Sequence, residues 1–95
     1  MSGANYNPGL RMVYEVHLAD SVREKLKKAV KKDSLTYKRL VKTFEQISEN
    51  PYGIGKWMHG EYAGVRERHI GHFVLKYVIN ENARTVIIVD YDHHV

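Results

Sequence analysis

Two arginines, Arg66 and Arg68, stand two positions apart in a segment whose residues predict a β-strand. Alternate side chains of a strand share one face, so both guanidinium groups are expected to point the same way. Such a pair repels unless an anion lies between the two groups, and phosphate matches the planar fork of donors that arginine presents. The spacing therefore predicts an anion-binding site, with a solvated sheet face as the alternative.

The candidates for acid–base chemistry are His94 and His72, because an imidazole titrates close to neutral pH. Asp92, two residues before His94, could share its face and orient its ring. A chain end without function is the alternative for His93 and His94. The six histidines of the chain stand at no recognised ligand spacing, so we expect neither a metal nor another cofactor.

Candidates for RNA binding precede the arginines in a glycine-punctuated turn. Trp57 and Tyr62 could stack on bases, as aromatic residues do in proteins that read single-stranded RNA. Lys56 and His59 lie in the same segment and complete the predicted RNA-binding set. The alternative for Trp57 is a place in the core, packed against helices.

Length and composition limit what the chain can be. Its 95 residues suffice for one domain, and 43% hydrophobic with 27% charged residues is typical of a soluble globular protein. It has no cysteine, and no apolar run approaches the roughly 18 residues that span a membrane. The net charge of +4 favours a polyanion or an acidic protein as the partner. We expect a cytoplasmic protein that does not enter a membrane.

The elements that must position these residues can be read along the chain. Residues 1–10 are small, polar and turn-forming and predict a flexible extension before a single domain over 11–95. A first strand is predicted from Met12 to Leu18, and the capping-box pattern of Ser21 and Glu24 predicts a helix start. A second helix restarts at residue 33 or 34 and ends before Pro51. Residues 51–55 are predicted to form a loop.

The rest of the chain predicts a β-meander: a strand with the two arginines, a turn at Gly71, an apolar strand, and a last strand around Val86–Val89. The predicted fold is α+β, a helical hairpin on one face of a mainly antiparallel four-stranded sheet in the order β-α-α-β-β-β. The first helix has a lysine-rich face, which is either solvated or turned toward RNA or a protein partner. Alternation assigns four residues of the apolar strand to the core: Phe73, Leu75, Tyr77 and Ile79.

The order of these elements, together with a set of short motifs, resembles the RelE/ParE toxin superfamily over residues 12–95. The motifs are Met58-His59-Gly60, Arg66-Glu67-Arg68, Gly71, Phe73, Tyr77 and the ending Val86–His94. The resemblance implies a RelE-like fold and a toxin of a type II toxin–antitoxin module. RelE-type members are endoribonucleases that cut mRNA on the ribosome by metal-free 2′-hydroxyl attack. A cognate antitoxin silences them, so a hetero-oligomer with an antitoxin is implied.

The resemblance also implies roles for single residues. Arg66 and Arg68 match basic positions that contact the scissile phosphate, and His94 matches a histidine near the leaving group. The family usually has an arginine at the position where this chain has Val74. The hairpin register that the family suggests would put His72, Val74 and Lys76 on the same face as Arg66 and Arg68. We therefore hypothesise that Lys76 or His72 partly replaces the missing arginine.

Two alternatives stay open on the same fold. ParE-type members poison DNA gyrase and need no acid–base group. An inactive member that only binds an antitoxin is the other alternative, since many members place a tyrosine at the chain end where this chain has Val95.

Overall fold

The computed structural model describes residues 13–58 and 64–93, and the predicted extension over residues 1–10 lies outside them. The described residues form a helical hairpin on one face of a mixed sheet, which confirms the predicted α+β class. The elements in chain order are β1 (Glu15–Leu18), α1 (Asp20–Lys32), α2 (Ser34–Glu49), α3 (Pro51–Ile54), β2 (Lys56–Trp57), β3 (Arg66–Ile70), β4 (Phe73–Asn80) and β5 (Thr85–His93).

The sheet has the strand order β1-β5-β4-β3-β2. β1 runs parallel to β5, and the other three pairings are antiparallel. The described part of the sheet thus has five strands where four were predicted. The additional strand is β2, in which Lys56 pairs with Glu67 and Trp57 pairs with Arg66. Its two residues are too few to give a recognisable strand pattern in the sequence.

The predicted capping box at Ser21 is wrong, because the N-cap of α1 lies two residues earlier. Ala19 is the N-cap and makes no side-chain capping bond. Its backbone N–H donates to the carbonyl of Ile88 at 3.0 Å, so the chain stays bound to β5 until the residue before the helix. At the second helix the predicted start is confirmed, since Asp33 is the N-cap and accepts from the backbone N–H of Leu35 at 2.9 Å.

The loop predicted over residues 51–55 is also corrected. Residues Pro51–Ile54 form one helical turn, α3, with proline in the first turn, where its missing N–H is not needed. Asn50 ends α2 and precedes this turn, and its carbonyl accepts from the N–H of Gly53 at 3.1 Å. Three carbonyls of this turn and that of the next residue, Gly55, are directed toward side chains of the sheet, and this decides the geometry of the candidate site.

The core lies between the helical hairpin and the sheet. Buried apolar side chains come from both helices and from β4 and β5, and the predicted core positions Leu75 and Tyr77 are fully buried. Phe73 and Ile79 are half-buried and pack against the same cluster. The other buried members are Tyr14, Val22, Leu26, Leu40, Ile47, Val86, Ile88 and Tyr91.

The register between β3 and β4 overturns the predicted arrangement of faces. Arg66 lies opposite Tyr77, and Arg68 lies opposite Leu75. Direct partners share a face, so the arginines stand on the side that the helices cover. Lys76 and Val74 lie on the other side, opposite Glu67 and His69, and the predicted shared face is therefore wrong. Glu67 points away from the arginines, to the same side as Lys76.

None of the helices in the described part of the chain is long and apolar enough to cross a membrane.

Candidate functional site

Arg66 is held by the α3 turn. Its Nη2 donates to the carbonyl of Tyr52 at 2.5 Å and to the carbonyl of Gly55 at 2.8 Å. The side chain is only 5% exposed, and its guanidinium lies 4.4 Å from the centroid of the Trp57 ring. Two carbonyl dipoles and one aromatic face thus surround this cation, which is a favourable environment for a buried positive charge.

Arg68 and Tyr77 complete the contact with the same turn. Nη1 of Arg68 lies 3.4 Å from the carbonyl oxygen of Ile54, and the hydroxyl of Tyr77 donates to the carbonyl of Pro51 at 2.7 Å. We call the side chains of Arg66, Arg68 and Tyr77 the arginine clamp. Carbonyl oxygens at a helix end carry partial negative charge, so they provide part of the neutralisation that the sequence led us to expect from an anion.

The clamp leaves some donor capacity for a ligand. A guanidinium has five N–H groups, and among the described residues Arg68 engages one nitrogen, in a long contact to Ile54. The Nε atoms of Arg66 and Arg68 are buried and have no hydrogen-bond partner among the described residues. Arg68 is half-buried whereas Arg66 is almost fully enclosed, so Arg68 is the arginine that an incoming anion reaches more easily.

Tyr77 acts in this cluster as a neutral donor. Burial raises the pKa of its hydroxyl, and the two arginines lower it by a smaller amount. The phenol therefore keeps its proton at physiological pH and donates to the carbonyl of Pro51. Its role in the clamp is to orient the α3 turn.

Trp57 is 53% exposed, which rules out its predicted alternative place in the core. It lies on β2 at the edge of the sheet, and the guanidinium of Arg66 supports one side of its ring. An exposed indole held in this way suits stacking on a base. Lys56 precedes it and is exposed as well. The predicted RNA-binding residues His59 and Tyr62 lie outside the described residues.

The acid–base candidates are less completely placed. His72 lies exposed in the β3–β4 turn, Lys76 lies on the far face of the sheet, and His94 is outside the described residues. β5 ends at His93, opposite Phe73, which in turn lies opposite Ile70. From Arg68 this is about 7 Å along the strand and about 10 Å across two strands, hence about 12 Å between backbones. A nucleotide could bridge that distance.

Metal ligands do not come together in the described ranges. No group of three or more histidine, aspartate or glutamate side chains there could hold a metal ion.

Sequence reasoning missed Tyr77 and the α3 carbonyls as parts of the site. Tyr77 was assigned to the core, which is correct for its ring but gives no hint of its hydroxyl. The one available signal was Gly55, because a Cβ atom at this position would lie 2.3 Å from the Tyr77 hydroxyl oxygen. A glycine in a short link between a helix and a strand can indicate such a close approach.

No protein-family model matches the chain. Over 82 residues, which are 86% of this chain and 87% of the relative, it is 34% identical to a Methanocaldococcus jannaschii protein described as "Putative toxin RelE4". The chain belongs to the RelE-like toxins. It is also 30% identical over 83 residues to an uncharacterised Methanosarcina mazei protein, covering 86% of this chain and 95% of that protein.

Solved structures agree with this RelE-like assignment. The fold is similar to a chain of the Mycobacterium tuberculosis RelBE2 toxin–antitoxin complex, with a TM-score of 0.76, 27% identity, and coverage of 87% of this chain and 93% of that one. A conserved hypothetical protein from Helicobacter pylori has a TM-score of 0.61 at 18% identity, covering 85% and 94% of the two chains, and supports the fold alone.

Proposed function

We propose that this RelE-like chain is the toxin of a type II toxin–antitoxin module and cleaves mRNA on the ribosome, with a cognate antitoxin as its inhibitor. The observation that carries the proposal is the placement of Arg66 and Arg68 on one face of β3, beside the exposed ring of Trp57. Phosphate binding and base stacking are thus available within one small area. Membership of the RelE-like toxins supports the toxin class.

The reaction needs no metal. A 2′-hydroxyl attacks the adjacent phosphorus, the bond to the 5′-oxygen breaks, and the products are a 2′,3′-cyclic phosphate and a 5′-hydroxyl. One proton leaves the attacking hydroxyl and one is delivered to the departing oxygen. Arg68 binds the phosphate oxygens as their negative charge rises in the transition state, because it is more accessible than Arg66 and has donors available. Arg66 fixes the α3 turn and supports the Trp57 ring.

The acid that protonates the leaving oxygen is proposed to be His94, with His72 as the second candidate. The residue before His94 ends β5 at about 12 Å from the backbone of Arg68, as derived above. A separation of this size between the end of β5 and the backbone of Arg68 would admit one nucleotide. The proposal thus assigns charge stabilisation to Arg68 on β3 and proton transfer to His94.

A partner protein has a suitable surface on the helical hairpin. Between α1 and α2 lies an apolar groove of about 390 Å³, and two of its large apolar side chains, Tyr37 and Val41, are exposed. Exposed apolar side chains in a groove mark a site for an amphipathic helix, and the rim lysines Lys27 and Lys31 would favour acidic residues beside its apolar face. We propose that the antitoxin covers this groove. The similar M. tuberculosis chain belongs to a toxin–antitoxin complex.

The test is expression without antitoxin, followed by primer extension on cellular mRNA. Wild type should arrest growth and cut mRNA. Arg68→Ala and His94→Ala should each reduce cleavage by about 100-fold or more, the usual effect of removing one transition-state donor. Lys76→Ala is the matched control, because it removes a cation from β4 on the opposite face of the sheet. Its cleavage rate should stay near that of wild type.

Three results would contradict the proposal. DNA breaks with intact mRNA would indicate a gyrase poison. Normal growth with a folded, expressed protein would indicate an inactive member that only binds an antitoxin. Full cleavage by the Arg68 variant would remove the proposed phosphate contact.

A further inference from the structure

The tip of the helical hairpin meets the β3–β4 turn and forms a cavity of about 370 Å³. It lies at the end of β3 that is remote from Arg66. Its lining is Lys28, Ala29, Lys32, Asp33, Thr36 and Phe73. None of the large apolar side chains that the described residues expose belongs to this lining, in contrast to the apolar groove on the other side of α1.

Two cations, Lys28 and Lys32, line the cavity, and Arg39 lies beside it; we call the three the hairpin-tip cluster. Lys28 and Lys32 are one helical turn apart, so their exposed ammonium groups stand on the same side of α1. Neither makes an ion pair within the described ranges. Nη1 of Arg39 reaches from α2 to the β3–β4 turn, where it lies 3.1 Å from the position of a Cβ on Gly71.

The only acidic side chain in the lining, Asp33, is already engaged. Its Oδ1 accepts from the N–H of Leu35 and its Oδ2 accepts from the hydroxyl of Thr36, both at 2.9 Å. These bonds hold the pKa of Asp33 below its usual value, so it is a charged helix cap. The lining thus has two cations against one carboxylate, a surplus of one positive charge, and Arg39 beside it adds a second.

We propose that the hairpin-tip cluster is a second RNA-binding site that takes the phosphate backbone, separate from the site at the arginine clamp. The inference rests on the proposed function in that RNA is the substrate. β3 joins the two sites, and its four steps from Arg66 to Ile70 span about 13 Å. Helix α2 contacts β3 and carries Arg39 in its half nearer to the hairpin tip. Its other end is followed by α3, which lies at the arginine clamp. One RNA molecule can therefore engage both sites.

The positive charge of the lining and its two exposed lysines, which make no ion pair within the described ranges, favour a phosphate backbone over a protein partner here. Phosphate contacts of this kind add affinity and register without reading bases. The cluster would thus hold the RNA while Arg68 and Trp57 engage the nucleotides at the scissile bond. The two sides of α1 then have different partners: Lys28 and Lys32 face RNA, whereas Lys27 and Lys31 flank the groove proposed for the antitoxin.

The test compares two double variants with the same loss of charge on the same helix. Lys28→Gln/Lys32→Gln removes the tip lysines, and Lys27→Gln/Lys31→Gln removes a pair with the same spacing at the groove. The probe is a fluorescent single-stranded 2′-O-methyl RNA, which keeps the phosphates but lacks the attacking hydroxyl. Its dissociation constant is measured by fluorescence anisotropy between about 50 and 200 mM salt. The melting temperature of each variant checks folding.

For the tip variant, the slope of the logarithm of the association constant against the logarithm of the salt concentration should become less negative by about 1.4. Each of the two lost phosphate contacts contributes about 0.7 to this slope. Its dissociation constant at low salt should rise by about tenfold or more. The groove variant should retain most of the wild-type slope. Equal changes in the salt slope and dissociation constant of both variants would mean that RNA responds to the overall positive charge of the protein and not to this cluster, which would overturn the proposal. No change in either variant would also overturn it.

A third result would also overturn it: a tip variant that loses antitoxin affinity but keeps wild-type affinity for RNA. The binding test is independent of catalysis because the probe cannot be cleaved. Intact cellular mRNA together with the expected difference in slope would refute the endoribonuclease and leave the tip site standing.

Discussion

Gly55→Ala should disrupt the arginine clamp by adding a single methyl group. Its Cβ would lie 2.3 Å from the hydroxyl oxygen of Tyr77 and 3.0 Å from the Cζ atom of the same ring. The backbone of Gly55, at φ −106° and ψ 166°, is extended and open to alanine, so the expected effect is steric. Because Arg66 donates to the Gly55 carbonyl, a shift of this residue also displaces an arginine of the candidate site.

The magnitude follows from how firmly Tyr77 is held. Its ring is fully buried and its hydroxyl is bonded to the carbonyl of Pro51, so it cannot turn away from the new methyl group. Overpacking of this kind costs about 1–3 kcal/mol. Losing the hydroxyl's hydrogen bond adds about 1 kcal/mol. We therefore expect Gly55→Ala to lower the free energy of unfolding by about 2–4 kcal/mol.

Urea unfolding of Gly55→Ala, Tyr77→Phe and the double variant measures this effect. Tyr77→Phe removes the atom that the methyl group strikes, so the double variant should be less destabilised than the sum of the single variants, with a coupling of about 1–2 kcal/mol. Gly53→Ala is the matched control. The three heavy atoms nearest to its added Cβ, at 2.2 to 2.8 Å, all belong to the side chain of Asn50, which is exposed and can turn into solvent. Alanine also favours the helical turn, so this variant should be neutral or stabilising. A Gly55→Ala variant as stable as wild type, or strictly additive effects, would refute the reasoning.

Two further predictions concern polar side chains at other ends of the fold. Asp33→Ala removes the cap of α2 and should lower the free energy of unfolding by about 1 kcal/mol, measured by urea unfolding. Asp33→Asn should lower it by less, because asparagine can also cap a helix. Equal losses of stability in the two variants would contradict the capping role. Hydrogen bonds from Tyr14 and Tyr52 lower the pKa of Glu81 in the folded state. The ionised Glu81 therefore stabilises the folded state at pH values above its unfolded pKa of about 4.3, and this stabilisation is lost as the pH falls through its folded pKa. Unfolding curves at a series of acidic pH values should show a flatter acid limb for Glu81→Gln than for wild type, and identical limbs would argue against the contribution of Glu81.

Much of the fold could be predicted because it depends on local patterns. The apolar stripes of α1 and α2 recur at helical spacing, Pro51 limits α2, and the β-branched run Val86–Val89 forms the centre of β5. Parts that depend on a single residue or on a distant contact were harder to predict. The α1 start moved to Asp20 because Ala19 bonds to β5, and a two-residue strand at Lys56 is defined only by its partner.

The candidate site, like the fold, was predictable where it depends on local spacing and not where it depends on contacts between strands. That Arg66 and Arg68 share a face follows from the twofold period of a strand. Which β4 residues share that face depends on the register across the Gly71–His72 turn, and a one-residue change of register moves every side chain to the opposite face. Lys76 was therefore assigned to the wrong side, although its position in the strand pattern was read correctly.

The sequence alone determined the order of β1, α1, α2, β3, β4 and β5, the class of the fold, the core face of β4 and the pairing of two cations on one strand, because each follows from spacing along the chain. Only the tertiary structure decided that the arginine pair faces the helices, that Trp57 is exposed above Arg66, and that the carbonyls of α3 bind the guanidinium groups. The reason is that carbonyl acceptors are present in every residue and carry no mark in the sequence. Their meeting with Arg66, Arg68 and Tyr77 arises from contacts between segments separated by 11 to 26 residues.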